Sequence, residues 1–562
     1  MMGRTEHSVP DPIAGLHQAW GSPDSWNLLN AWRTRVEEDA DRPFLAESSV
    51  DDFVTYGQAW QHIRDLAGVL TALGVSSGDR VVILGKTNAM TVWAWFAVNL
   101  VGATEVTVNA SYRGAPLVHA VNLPRAEVAI VAPEMLTRFV EHEEDFTAVR
   151  RVVVLGDVDV PEPTETRSYL RPGEVEAAQP STVVPHFTDP ASILYTSGTS
   201  GPAKGVVMPH GQTYVMARQT IELLSLTAED TFYCFHSLAH ATKFTAVAST
   251  LVAGGRIVLD PVFEPDAWAE RVVATEATAT VAHGPMLEMV LRAREESGAS
   301  PAAAALGRLR VVLTAGASAD LAKDAERLLG LRCVEAFGMT EAYLITRPEN
   351  ERERVPAGSC GRPNSALFEV RLVDPETDDE VGIGEIGEIT VRPLHPGTMM
   401  REYIHMPERT IESWRNLRFH TGDLARMDES GWVYFVDRVS DRIRRKAENI
   451  SSYEIERAAL EYPLVQEAAA VGVPAGPGLD DEIKLCLVTS GPLDYEAMIE
   501  HLVRLLPHYM VPRYIDVVAE LPRSVTNKVQ KARLRVADLS TAWDRTAVGV
   551  SVREIADRLG VR

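Results

Sequence analysis

Tyr195-Thr-Ser-Gly-Thr-Ser-Gly-Pro-Ala-Lys204-Gly-Val206 is a hydroxyl- and glycine-rich run that ends in a lysine, set between the apolar stretches 192–195 and 205–208. Both flanks read as short strands, so the run is the loop of a strand-turn-strand unit. Its glycines let backbone amides turn toward an anion. Thr196, Ser197, Thr199 and Ser200 add hydroxyl donors around Gly198, and Lys204 adds charge. The composition is that of a polyphosphate cradle. The common nucleotide-hydrolase loop needs Gly-Lys-Ser or Gly-Lys-Thr directly before a helix. Here Pro202 and Ala203 separate Gly201 from Lys204, which excludes that variety.

Working outward, the chain alternates helical and strand-like patterns. Ile63, Leu66, Val69, Leu70 and Leu73 recur at helical spacing, Gly74 can end that helix, and Val81-Val-Ile-Leu84 reads as a buried strand. Val128-Ala-Ile-Val131, Val152-Val-Val-Leu155, Ile257-Val-Leu259 and Val311-Val-Leu313 continue the series. This is the pattern of a layered α/β fold. The uncharged run 87–104 is broken by Asn88, Asn99 and Gly102 and is read as a buried core helix, with no membrane span. From about Gly382 the pattern turns strand-rich, predicting a β subdomain. Gly382-Ile-Gly-Glu-Ile-Gly387 matches a dinucleotide fingerprint, but a strand follows it where that motif needs a helix, so a turn is expected. After Asp437-Arg438 a small α+β unit is expected, opened by the capping box Ser451-x-x-Glu454. Strands are predicted at 467–473, 482–488 and 514–518, with helices at 494–506 and 552–559.

With 562 residues, the chain is long enough for two to four domains. Lys and Arg number 55 against 78 Asp and Glu, a formal charge of −23 that argues against nucleic acid or an anionic membrane as partner and favours a small molecule. Cys234, Cys333, Cys360 and Cys486 have neither metal-ligand nor disulfide-framework spacing. The polar first residues lack the features of a signal peptide, so a cytoplasmic protein is expected.

Four further motifs follow the loop in order: Phe337-Gly-Met-Thr-Glu341, Thr421-Gly-Asp423, Asp437-Arg438 and Pro522-Arg-Ser-Val-Thr-Asn-Lys528. The ordered set, from about residue 53 to 535, resembles the adenylate-forming (ANL) superfamily. Glu448-Asn449 and the run from Gly78-Asp-Arg-Val81 through Asn109-Ala110 are most similar to its acyl-CoA synthetase branch, which contains crotonobetaine/carnitine-CoA ligase.

The resemblance implies an N-terminal AMP-binding domain over 1–437 and a small mobile domain over 438–562. It implies an ATP-dependent activation of a carboxylic acid as an acyl adenylate, with pyrophosphate leaving, followed by transfer to the thiol of CoA. Joining a carboxylate to an anionic α-phosphate demands positioning and dispersed positive charge. By resemblance, the loop and Lys204 hold the β- and γ-phosphates, Thr340 contacts the α-phosphate, and Glu341 is the Mg2+ carboxylate, a hard ligand for a hard cation. Asp423 accepts the ribose hydroxyls, Arg438 adds a nucleotide contact, and Lys528 bridges the carboxylate and the α-phosphate. His240 gates the substrate carboxylate; Lys243 stands at the wall of the acyl pocket, where a cation suits a polar or anionic substrate group, or else faces solvent; His283, Gly316 and Ala336 line that pocket along with Ala315, and Ser440 is the hinge. A homodimer is implied by family analogy alone.

The pattern departs from the family at three places. Ala447, within Lys446-Ala447-Glu448, stands where a glycine usually borders the acceptor tunnel; Asn527 replaces the glycine before Lys528; Ala239 precedes His240 where an aromatic residue is common. The methyl at Ala447 keeps a second reading open, an adenylating enzyme whose acceptor is a carrier-protein thiol or an amine, including an amine attacking activated nitrite. A non-catalytic binding protein is the third.

Overall fold

The computed structural model describes residues 19–180, 184–196, 203–296, 306–317, 319–439, 443–445, 448–450, 452–474, 481–523, 529–535 and 539–560. Two large sheets form the N-terminal part. The eight-stranded sheet runs, in spatial order, Glu402–Tyr403, Lys204–Pro209, Pro190–Thr196, Thr104–Val108, Arg80–Leu84, Val128–Val131, Arg151–Val154 and Ser168–Leu170. Lys204–Pro209 runs antiparallel to both of its neighbours, and the other seven strands share one direction. The seven-stranded sheet runs Arg332–Glu335, Val311–Thr314, Ala279–Val281, Thr231–Cys234, Arg256–Leu259, Pro43–Glu47 and Val54–Thr55, parallel except for the last. The apolar runs read from the sequence are these strands, because a strand buried on both faces needs no polar alternation.

Helices fill the space between the sheets. Asn88 caps Ala89–Leu100 by accepting the Thr91 amide at 3.0 Å, and the 12 residues of this helix are almost wholly buried, with Trp95 and Phe96 stacked at 4.3 Å. No helix among the described residues is long and apolar enough to cross a membrane. The Tyr56–Ala72 helix carries a complete capping box on Thr55 and Gln58, and Gly74 just beyond it takes φ +78°, as its placement in the sequence anticipates.

A four-stranded antiparallel sheet follows, Phe368–Val373, Ile386–Pro393, Phe419–Met427 and Val433–Arg438. Gly384, inside the dinucleotide-like run, has φ +83° and leads into the Ile386–Pro393 strand, so the run is a turn. The C-terminal elements build a separate core. Strands Val465–Pro474, Asp481–Thr489, Tyr514–Val517 and Trp543–Asp544 pair in that order, and Ile455, Leu485, Met498, Leu502, Ile515 and Ile555 pack together beside them. Residue 451 lies outside the described residues; the helix it was expected to cap runs Ser452–Leu460. The four cysteines are free thiols.

Candidate active site

Parallel α/β sheets present ligands at the carboxyl ends of their strands. Four adjacent parallel strands release their chains at one edge of the seven-stranded sheet. His236 lies just beyond Thr231–Cys234, His283 just beyond Ala279–Val281, Ala315 and Gly316 beyond Val311–Thr314, and Ala336 beyond Arg332–Glu335. The Gly284 amide donates to Ala315 O at 3.2 Å, and a Cβ on Gly284 would meet Gly316 O at 2.3 Å, so these two loops abut. Gly316 itself has φ +72°. From the other sheet Thr87, just beyond Arg80–Leu84, donates its hydroxyl to His236 O at 3.0 Å and joins the two strand-end edges.

Lys204 enters the site from a hairpin. Pro190–Thr196 pairs antiparallel with Lys204–Pro209, Thr196 opposite Lys204, which is the strand-turn-strand unit expected. Ser197, Gly198, Thr199 and Ser200 lie outside the described residues. Thr196 Oγ1 is buried with no hydrogen-bond partner among the described residues. The Lys204 ammonium sits 4.3 Å from the centroid of the Tyr403 ring, and Tyr403 Oη donates to Glu341 Oε1 at 2.7 Å. Burial lowers the Lys204 pKa while Glu341 opposes the shift; burial and Glu341 together push the Tyr403 phenol up. Tyr403 thus links two residues that the motifs single out, and the motifs do not include it. It acts through the pairing of Glu402–Tyr403 with Val206 and Val207, a contact between distant segments that leaves no local pattern.

Thr340 and Glu341 occupy the turn between Phe337–Met339 and Tyr343–Arg347. The Gln212 amide donates to Thr340 O at 2.9 Å and Glu341 O at 3.1 Å, and the Met400 amide donates to Glu341 O at 2.8 Å. The carboxylate therefore projects from a pinned backbone. Tyr343 leaves the turn at φ +58°, a strained value for an aromatic residue. Its hydroxyl lies 2.7 Å from Thr220 Oγ1 and 2.6 Å from Thr245 Oγ1, the latter in a π-helical segment, Phe244–Ala248.

Asp423 and Arg438 face each other across paired strands, with Arg438 Nε 3.3 Å from Asp423 Oδ1. Asp423 is buried and its amide donates to Thr421 Oγ1 at 3.1 Å. Phe435, on the Arg438 strand, stacks with Phe337 at 6.0 Å, which brings this sheet to the Thr340–Glu341 turn. Glu335 was not anticipated. Its Oε1 accepts the Gly316 amide at 2.7 Å, its Oε2 is buried without a partner among the described residues, and burial raises its pKa to about 7 against the opposing pull of the Gly316 and Ala317 amides.

The Thr242 amide donates to His240 Nδ1 at 3.4 Å, which leaves Nε2 as the proton-bearing nitrogen of the neutral ring. Lys243 corrects an expectation. It is 1% exposed, and its ammonium is bonded to Glu105, lies 3.4 Å from Thr107 Oγ1 and stands 4.6 Å over the Trp95 ring. Glu105 is in turn bonded by Ser192 Oγ and Thr107 Oγ1. The cation is neither solvent-facing nor available to an anionic substrate group, because a buried carboxylate already matches it.

Ser440, Ala447 and Lys528 lie outside the described residues. Lys531, three positions on, is committed elsewhere: its ammonium is 2.7 Å from half-buried Glu456 Oε1 and 2.5 Å from Ser452 Oγ, whose hydroxyl and amide both donate to Asp437 Oδ2.

The AMP-binding enzyme family matches residues 32–404, and the AMP-binding enzyme C-terminal domain matches 454–528. The chain belongs to the AMP-binding enzyme family. It resembles a feruloyl-CoA synthase of Amycolatopsis sp, 30% identical over 494 residues that cover 86% of this chain and 93% of the relative. It also resembles the crotonobetaine/carnitine–CoA ligase of Salmonella typhimurium (strain LT2), 25% identical over 530 residues, 91% of this chain and 99% of that one. The solved anthranilate CoA ligase AuaEII in complex with anthranoyl-AMP superposes with a TM-score of 0.78 at 24% identity, covering 91% and 96% of the two chains, and so shares the fold. As an AMP-binding enzyme the chain is an ATP-dependent, AMP-forming ligase. The residues present fit the nucleotide and its metal: a buried, backbone-pinned carboxylate in Glu341, a lysine beside it, and buried oxygens at Thr196 and Glu335 without partners among the described residues.

Proposed function

We propose that this AMP-binding enzyme is an acyl-CoA ligase, which joins a carboxylic acid to AMP and then passes the acyl group to the thiol of CoA. The observation that supports it best is the Lys204–Tyr403–Glu341 cluster, which joins residues of the hydroxyl loop and of the Thr340–Glu341 turn. In this reading Lys204 and the hydroxyl loop hold the outgoing pyrophosphate, and Thr340 contacts the α-phosphate. Glu341 would hold Mg2+, which supplies charge neutralisation between phosphates when bound. Asp423 accepts the ribose hydroxyls and Arg438 steadies it. His240 meets the carboxylate through Nε2–H. His283, Gly316 and Ala336 border the acyl group, and Lys243 supports that wall from behind through Glu105. Lys528, delivered by a small domain beginning near 438 and hinged at Ser440, bridges the reacting groups, and Ala447 borders the path of the acceptor. The free cysteines accord with a reducing, cytoplasmic setting.

The test is AMP and pyrophosphate release over a panel of carboxylic acids and nitrite, with and without CoA. Thioester formed only with CoA is expected. Turnover indifferent to CoA, or nitrite-dependent turnover with an amine, would replace the ligase reading with that of another acceptor.

A further inference from the structure

Among the described residues, some of the buried polar atoms without a protein partner lie where strands end. Thr196 Oγ1, Thr314 Oγ1 and Glu335 Oε2 end their strands, and His236 Nε2 and Thr242 Oγ1 lie in the segment that follows Thr231–Cys234. Buried polar atoms are normally hydrogen-bonded, so such atoms call for a ligand. Thr196 belongs to the hydroxyl loop that holds the outgoing pyrophosphate in the function proposed above. His236 and Thr242 have no assignment there.

The His236 ring is fixed on several sides. Phe235 stacks on it with centroids 4.5 Å apart, His283 meets it edge-on at 5.4 Å, and Thr87 holds its carbonyl. Burial, with His283 and His240 nearby, keeps its imidazole pKa well below the usual value, so the ring is neutral. Thr242 is bonded through its amide to His240. The two unpartnered atoms therefore belong to the same group of side chains as the histidine that meets the carboxylate. A neutral imidazole nitrogen and a hydroxyl can each donate or accept. Lys243, next to Thr242 in sequence, is already matched by Glu105 and brings no free charge to this polar corner.

We infer that His236 and Thr242 read a neutral hydrogen-bonding substituent, a hydroxyl or an amino group, carried by the acid, and that the natural substrate is a hydroxy- or amino-substituted carboxylic acid. The inference rests on the adenylation reading. A plain hydrocarbon acid would seal both atoms in without partners, and a site built to bond such a group rejects the analogue that lacks it far more strongly than an apolar pocket distinguishes one methylene.

The experiment measures acid-dependent ATP–pyrophosphate exchange, which needs no acceptor, with matched pairs: benzoate and 2-aminobenzoate, cinnamate and 4-hydroxycinnamate, hexanoate and 6-hydroxyhexanoate. At least one substituted acid is expected to exceed its parent by about ten-fold or more in kcat/KM. His236→Phe should bring that ratio to within about two-fold while the KM for ATP stays unchanged, and His236→Gln, which keeps a donor and an acceptor, should retain part of it. Parents that match or exceed their substituted partners in every pair overturn the inference, as does a His236→Phe enzyme that loses activity equally on both members. Absence of exchange with every acid overturns the adenylation reading and this inference with it; exchange without preference overturns this inference alone.

Discussion

Lys243 and Glu105 are 138 positions apart in sequence and meet where neither is measurably open to solvent. A lysine three residues after a site histidine reads from sequence as a pocket wall, because nothing local announces a carboxylate in a strand of the other sheet. Removing one member of a buried pair strands the other, at a cost of about 3–5 kcal/mol. Lys243→Met should lower the unfolding free energy measured in urea by that amount, and Lys243→Met combined with Glu105→Gln should recover most of it. A single variant as stable as the parent would mean that Glu105 finds another donor. Tyr403 was equally illegible, for the same reason. Tyr403→Phe keeps the ring beneath Lys204 and deletes only the hydroxyl that donates to Glu341. Hydrogen bonds to charged groups contribute about 1.5–3 kcal/mol, so the Mg2+ concentration giving half-maximal pyrophosphate exchange should rise about ten-fold or more, with the KM for the acid unmoved. An unchanged Mg2+ dependence would detach Tyr403 from the metal site we propose at Glu341.

At the scale of elements, apolar period was a sufficient guide wherever a segment is buried on both faces. The strands Arg80–Leu84, Val128–Val131 and Val311–Thr314 stand within a residue of their expected places, and the helix Ala89–Leu100 fills the middle of the run 87–104. Elements set by tertiary contact escaped. The short strands Phe337–Met339 and Glu402–Tyr403 carry no alternation, and the π-helical Phe244–Ala248 has the composition of an ordinary helix; it is tied by Thr245 to Tyr343. Gly338 shows how closely the first of these fits. A Cβ there would lie 2.1 Å from Tyr343 O, a backbone atom that cannot yield without opening the hairpin that holds Thr340 and Glu341. Gly338→Ala should therefore reduce kcat/KM for adenylation by roughly 10²-fold, the scale set by small misplacements of reacting groups. The same variant should leave the far-ultraviolet circular dichroism spectrum unchanged. Near-normal activity would show that the turn tolerates an opened hairpin.

For the whole molecule, the sequence separated a large α/β part from a small α+β part, and the packing gives each its own core. One core cluster spans both large sheets and the antiparallel sheet, from Trp32 and Trp95 to Ile389 and Phe419, while Ile455, Leu485, Met498 and Ile555 form another among the C-terminal elements. Separate cores unfold as separate cooperative units, so calorimetry should resolve two transitions. AMP binds through residues of the large part, Asp423 and the Thr340–Glu341 turn in our reading, and should raise the larger transition by mass action. What the small part contributes is then a question of chemistry more than of affinity, and it centres on Lys528. A cation needed only as the carboxylate and α-phosphate approach stabilises the transition state and adds little to nucleotide binding. Lys528→Ala should preserve the AMP-induced shift of the larger transition while pyrophosphate exchange falls by roughly 10²–10³-fold, the usual loss when one electrostatic contact to a developing charge is removed. Intact exchange in that variant would place the small domain outside the adenylation step and leave it only the handling of the acceptor.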